Sequence, residues 1–214
     1  MNEHSYKEAY MFWDRVAGVY DLMERTYNGK ANRRAVEIVS ELIDSGDNVL
    51  ECACGTGMFS ERIADRCGSL TATDFSAKML RRAQKKCSRA GYGNCTFEFA
   101  DITDLKYEDG SFDKVVAANV IHLLDDPSAA MKEFARIVKP GGEIIIPTYV
   151  NKSLRSSDRA AKLFDRMGAG FKRQFDHETY REFFSGLGYP DAEYHLAEGR
   201  MPCDVAVIRV GDIK

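Results

Sequence analysis

The sequence predicts an α/β fold: a doubly wound, seven-stranded, mostly parallel sheet, with N-terminal helices before it and an antiparallel strand pair closing it. Three observations predict this. Short apolar strands alternate with helix-period segments between residues 48 and 149. The first strand runs straight into a glycine turn, Cys54-Gly55-Thr56-Gly57, that opens a helix. The last two strands are separated only by the short stretch Glu198 to Pro202, which forces them antiparallel.

Each element follows from local pattern. Phe12, Val16, Tyr20 and Met23 recur at helical spacing and predict a helix over Tyr6 to Glu24. A second helix carries Ala35, Ile38, Val39 and Leu42 and stops at Gly46. The strand Asn48 to Cys52 follows, then a helix over Met58 to Cys67 with Phe59, Ile63 and Cys67 on one face. The second strand is Leu70 to Thr73. Ser76 caps the next helix, whose stripe is Met79, Leu80, Ala83 and Cys87. Strands at Thr96 to Phe99 and Phe112 to Ala118 come next, and Asp126-Pro127 is an N-cap with proline at the first helical position. Met131, Phe134, Ala135 and Val138 line that helix. Pro140-Gly141-Gly142 is read as a turn into a fifth strand, Glu143 to Tyr149. A helix over Glu178 to Leu187 and strands at Ala192 to Ala197 and Cys203 to Val210 complete the chain.

The expected organisation is one domain over residues 1–214. Residues 1–46 form N-terminal lid helices, 47–150 the ligand-binding core, 151–175 an acceptor-side insertion, and 176–214 the closing helix and strand pair. With 214 residues, 44% hydrophobic and 29% charged, the chain has the composition of an ordinary globular domain needing no disulfide or metal staple. A net charge of −3 gives no general reason to expect a nucleic-acid partner. No apolar run reaches membrane-spanning length and no leader pattern precedes residue 14, so a cytoplasmic protein is expected. Six cysteines and four histidines complete no metal-ligand spacing, and Cys52 and Cys54 read as small buried hydrophobes.

The chemistry concentrates at strand ends. Gly55 and Gly57 allow the backbone to approach a ligand closely, and the helix behind them offers free N–H groups. Asp74 stands seventeen residues past Gly57 at the end of the second strand, where a carboxylate reaches the ribose of a bound nucleotide. Asp101 follows the third strand and Asn119 the fourth, so every ligand-type residue lies at a carboxyl end.

From 48 to 150 the chain resembles the class I S-adenosylmethionine-dependent methyltransferases, whose E/D-x-G-x-G-x-G stretch stands here as Glu51-Cys52-Ala53-Cys54-Gly55-Thr56-Gly57. Ala72-Thr73-Asp74-Phe75-Ser76, Ala100-Asp101 and Phe112-Asp113 leading to Asn119-Val120-Ile121-His122 extend the likeness. One departure is Ala53, where the family has its first glycine. The resemblance implies a Rossmann-like fold and S-adenosylmethionine as cofactor. It places Ala53, Gly55, Thr56 and Gly57 under the methionine part, Glu51 near its amino group, and Asp74 with Phe75 at the ribose. Asp101 and Ile102 fall at the adenine, and the Asn119 backbone near the methionine moiety. Trp13-Asp14-Arg15-Val16-Ala17-Gly18-Val19-Tyr20-Asp21 is similar to the opening of the ubiquinone/menaquinone and phospholipid branch, which makes Tyr20 a lid residue and a candidate catalytic group.

His122 is the other catalytic candidate, weighed against a structural or substrate-shaping role; Tyr149 and His177 flank the acceptor side. A nicotinamide-dependent oxidoreductase would need a third glycine at position 60, where Ser60 stands. A non-catalytic methyltransferase-fold binding protein would be expected to have lost the glycines or acids that are present here. Residues 151–175 carry seven basic side chains against Asp158 and Asp165, which predicts a small-molecule acceptor that is anionic or lipid-like.

Overall fold

A computed structural model describes residues 11–15, 17–18, 20–150 and 172–211, with only the backbone described for 20–27. Residues 11–15 are helical and are followed by a turn at 17–18. Helix α1 then spans Tyr20–Glu41, with one non-helical residue, Asn28. The break expected near residue 25 therefore falls earlier, at the turn around Ala17-Gly18, and a single kinked helix replaces the rest. Asn28 explains the kink: its side chain donates to the Met201 carbonyl (2.8 Å) and accepts from the Met201 amide (3.0 Å). A buried Asn so satisfied holds α1 to a distant turn.

The remaining elements are β1 (Asn48–Cys52), α2 (Ser60–Ala64), β2 (Ser69–Asp74), α3 (Ala77–Ala90), β3 (Cys95–Phe99), β4 (Phe112–Ala117), a 3-10 turn (Ile121–Leu123) and α4 (Pro127–Ile137). They are followed by β5 (Val138–Tyr149), α5 (His177–Gly186), β6 (Glu193–Ala197) and β7 (Cys203–Arg209). Caps behave as their chemistry requires: Ser76, Asp126 and Asp176 each accept an amide from the first turn of their helix.

All seven strands form one sheet in the order β3-β2-β1-β4-β5-β7-β6. β1 to β5 pair parallel; β7 lies between β5 and β6 and runs antiparallel to both. Only β7 is reversed. Two local expectations change. The helix after the glycine turn is short, because residues 55–59 remain in turns. Pro140-Gly141-Gly142 is not a turn before the strand but a bulge inside β5: the pairing with β4 steps from Phe112↔Val138 to Lys114↔Glu143. Gly142 is required there, since a Cβ would stand 2.4 Å from the Asp113 carbonyl oxygen.

The sheet is covered on both faces, and its strands show the two-residue period of that arrangement. Leu50, Val115, Ala117, Ile144, Ile146 and Ala206 pack with α4 and α5. Val49, Val116, Ile145, Val205 and Val207 pack with α1, α2 and α3. Cys52 belongs to the first core and Cys54 to the second, so these thiols enter different layers. This architecture puts the carboxyl ends of β1, β2 and β4 along one rim.

Candidate functional site

The site begins where β1 ends. Ala53 (φ +52°), Gly55 (φ +56°) and Gly57 (φ +80°) bend the chain between β1 and α2 in left-handed conformations. The glycines serve different ends. A Cβ on Gly55 would meet nothing within 4 Å, so the space above it is open to a ligand. A Cβ on Gly57 would stand 2.9 Å from Ala83 Cα, so this glycine lets α3 approach the loop.

Two buried carboxylates face the opening. Asp74 Oδ2 accepts the Gly55 amide (2.8 Å) and Oδ1 accepts the Ser76 amide (2.8 Å). Asp74 thus clamps the glycine loop to the start of α3, and each oxygen keeps a second lone pair for a hydroxyl donor. Burial raises its pKa to about 6, against the three backbone amides that favour ionisation. Glu51 accepts the Ser60 hydroxyl at 2.5 Å. Burial, and then the charge of Asp74, push Glu51 up to about 8, against the Ser60 bond and Lys86. Ser60, which excluded the dinucleotide glycine pattern, therefore has its own task as the donor to Glu51.

A cavity lined by Glu51, Gly55, Asp74, Phe75, Asn119 and Trp13, among others, joins these groups. Ala53 and Thr56 also line it, whereas Gly57 lies behind it in packing. Asn119 holds the left-handed conformation (φ +51°) that Asn tolerates, and its amide donates to the Pro147 carbonyl (2.7 Å). Its buried Oδ1 has no hydrogen-bond partner in the described structure. Asp101 and Ile102 follow β3 outside this lining; Asp101 Oδ1 accepts the Thr103 amide and hydroxyl.

The enclosed space is about 80 Å³, below the ~300–1,000 Å³ of ordinary ligand pockets. Trp13 lines the cavity from the N-terminal helical turn, and it is held there through its neighbour: Asp14 accepts the Ser76 hydroxyl (2.7 Å) and pairs with Lys78 (3.1 Å).

The catalytic candidates separate. Tyr20 opens α1, and its side chain lies outside the described residues. His122 is buried in the 3-10 turn after β4 and does not line the cavity. Burial alone pushes its pKa down to about 4, so the ring is neutral at physiological pH. Its carbonyl accepts the Lys172 and Arg173 amides (3.0 and 3.1 Å). Tyr149 donates to Asn32 of α1 (2.8 Å), a packing task, and His177 Nδ1 pairs with buried Asp204 (2.5 Å). Of the seven basic residues of 151–175, Lys172 pairs with Asp125 and Arg173 donates to the Leu124 and Asp125 carbonyls. The other five lie outside the described residues. Sequence reasoning missed Phe59, Met79 and Leu123 as cavity walls. Phe59 and Met79, at helical spacing, read only as core, and Leu123 carried no signal.

Fold and site together define a nucleoside-binding α/β protein whose paired acids suit a cationic cofactor. The methyltransferase domain model matches residues 50–146. The chain is 42% identical over 106 residues to a ubiquinone/menaquinone biosynthesis C-methyltransferase of Bdellovibrio bacteriovorus, covering 48% of this chain and 44% of that one. It is 30% identical over 217 residues to the demethylmenaquinone methyltransferase of Renibacterium salmoninarum, covering 90% and 88%. The match thus spans under half the length of the Bdellovibrio relative but nearly all of the Renibacterium one. A solved complex of DhpI with SAH superposes with a TM-score of 0.74 at 23% identity, covering 99% and 100%, a likeness of fold. The chain belongs to the class I S-adenosylmethionine-dependent methyltransferases, in their ubiquinone/menaquinone branch.

The cavity fits that cofactor in chemistry. Open space stands over Gly55, two buried carboxylates face it, and the orphaned Asn119 oxygen can accept a donor. Among the described residues, no helix is long and apolar enough to cross a membrane.

Proposed function

We propose that this protein transfers a methyl group from S-adenosylmethionine to a small, quinone-like acceptor. The observation that carries the reading is the pair Glu51 and Asp74, both buried and both facing the opening over Gly55. When bound, the cofactor supplies an electrophilic methyl on a sulfonium, so the protein's task is alignment, charge balance and exclusion of water. Glu51 balances the positive methionine end, and Asp74 takes the ribose hydroxyls on its remaining lone pairs. Asn119 borders the methionine side, and Trp13 closes the cavity against water. The adenine roles of Asp101 and Ile102 require the ligand to extend beyond the enclosed space toward the end of β3. His122, neutral and tied to the chain at 172–173, shapes the rim. The acceptor class is suggested by the relatives, which are named for ubiquinone/menaquinone biosynthesis and for demethylmenaquinone.

Trp13 is the single tryptophan of the chain, so its fluorescence reports the cavity wall directly. S-Adenosylhomocysteine should shift that emission saturably, whereas NAD should not. Losing a charge-assisted acceptor costs about 1.5–3 kcal/mol, so Asp74→Asn should weaken S-adenosylhomocysteine roughly 10- to 100-fold by calorimetry. Unchanged affinity in a folded variant removes Asp74 from the cofactor site. Turnover of a reduced naphthoquinone then tests the acceptor class separately.

A further inference from the structure

The outer face of α3 carries a charge pattern that extends well beyond the cofactor site. Lys78, Arg81, Arg82, Lys85, Lys86 and Arg89 recur at spacings of three and four, which places all six on one stripe of the helix. No acidic residue interrupts them, in a chain whose net charge is −3. The core-facing stripe is Met79, Ala83 and Cys87, so the cations occupy the side turned away from the sheet. From Lys78 to Arg89 the stripe runs about 16 Å at ~1.5 Å per residue.

The stripe forms one wall of a groove of about 860 Å³, whose other walls come from Asp14, Arg15, Ala17 and Gly18 and from Glu61 of α2. Among the described residues of the groove only Asp14 and Glu61 oppose the cations, and Asp14 is already paired with Lys78. Arg15 adds a seventh positive charge. Residues 11 and 15 share a face of their helical turn, and Met11 on that face is 52% exposed, one of three large apolar side chains so exposed among the described residues. A straight cationic stripe with an apolar side chain at its margin is the pattern of a protein that rests on an anionic membrane surface.

We propose that the α3 groove, with Met11 beside it, docks this protein on an anionic lipid bilayer, the groove receiving phosphate-bearing headgroups. Charge complementarity selects the occupant class, and the lining selects within it. Among the described residues none that lines the groove is aromatic, so this part of it offers no stacking platform of the kind that single-stranded nucleic acid uses. The surface touches the cofactor cavity at its margin, where Lys78 pairs with Asp14 beside Trp13 and the charge of Lys86 acts on Glu51, whereas Arg81, Arg82, Lys85 and Arg89 lie on the outer side of α3; the inference stands whatever acceptor is methylated.

The test is co-sedimentation of the full chain with vesicles of phosphatidylcholine alone or mixed with phosphatidylserine. Binding should require phosphatidylserine and fall as salt rises. Each cation near an anionic leaflet strengthens binding about five-fold. The pair Arg81→Gln and Lys85→Gln, both exposed, should therefore weaken binding about 25- to 30-fold. The control pair Arg33→Gln and Lys132→Gln, equally exposed and elsewhere, should change it less than about two-fold. Met11→Ser should weaken it about five-fold, the effect of losing a half-buried apolar side chain at the interface. S-Adenosylhomocysteine affinity, measured in parallel, should stay unchanged in both pairs and separates this surface from the cofactor site. Equal binding to both vesicle types, or equal loss in the control pair, overturns the proposal. Tighter binding to polyuridylate than to the anionic vesicles assigns the groove to nucleic acid and overturns it as well.

Discussion

One helix separates two opposite electrostatic regions. On its inner side α3 meets a cavity where Glu51 and Asp74 are buried and their pKa values are pushed up to about 8 and about 6. On its outer side six cations stand in or near solvent. The acids are few, desolvated and individually held by Ser60, Gly55 and Ser76. The cations are many, and they act mainly by number. Burial makes a charge specific, because it stays unfavourable until a particular partner arrives. Exposure makes charge additive and sensitive to salt. The same fourteen-residue helix therefore borders a site built for one ligand and a surface built for many weak contacts.

The largest expected effect breaks the wall between the two regions. Gly57 lets α3 pack against the glycine loop, with Ala83 Cα 2.9 Å from where a Cβ would be. Ala at this position adds overpacking against backbone, about 1–3 kcal/mol, to the ~1–2 kcal/mol of a left-handed conformation. Gly57→Ala should lose about 2–5 kcal/mol of stability in urea unfolding. A smaller loss would mean that α3 yields easily and that the cavity and groove are not held apart rigidly.

Glu51→Gln sharpens the contrast by removing a buried charge while keeping an acceptor for Ser60. In the folded chain Glu51 holds its proton up to about pH 8, whereas an unfolded Glu releases it near pH 4.3. The folded state therefore binds more protons across that window, and stability falls as pH rises from about 4.5 to 8. The variant lacks this loss, so its melting temperature should exceed wild type at pH 9 and match it near pH 4. Affinity for S-adenosylmethionine should move the other way. A cation favours ionised Glu51, so wild-type affinity should climb with pH toward 8, whereas the variant should bind about 2 kcal/mol more weakly and without that climb. Calorimetry at several pH values checks both. Equal affinities at pH 8 would take Glu51 out of the cofactor's charge balance.

Much of this was legible in the sequence, and the reasons differ by element. The strands were readable because a sheet covered on both faces needs near-continuous apolar runs, as in Val115-Val116-Ala117 and Ile144-Ile145-Ile146. Glu51, Gly55 and Asp74 were readable because a left-handed turn and a carboxyl-end acid leave marks in residue type. The kink within α1 was not, because Asn28 is held by the Met201 backbone, 173 positions away. The β5 bulge hid for a similar reason: Gly142 answers to Asp113 on the neighbouring strand, not to a turn. The sequence reading of α3 took only its apolar stripe, and the groove that the cations face appears only when Asp14, Arg15, Ala17 and Gly18 lie beside them.

The smallest effect tests the one position where the loop departs from its family. Ala53 has φ +52°, a left-handed conformation that its Cβ disfavours. Gly in its place would remove a strain of roughly 1 kcal/mol, partly offset by the greater freedom of glycine in the unfolded chain. Ala53→Gly should therefore raise stability by about 0.5 kcal/mol, and that sign is the informative quantity. A Cβ in the cavity lining also narrows the enclosed space, so the variant should bind S-adenosylhomocysteine at least as tightly as the parent. Trp13 fluorescence and urea unfolding read the two effects on one sample. A clear loss of stability would show that the methyl of Ala53, half-buried against the α4-side core, packs well enough to outweigh its backbone strain. The alanine would then be a stabilising choice at the floor of the site, and the loop would hold its bend against the local preference of its own residue.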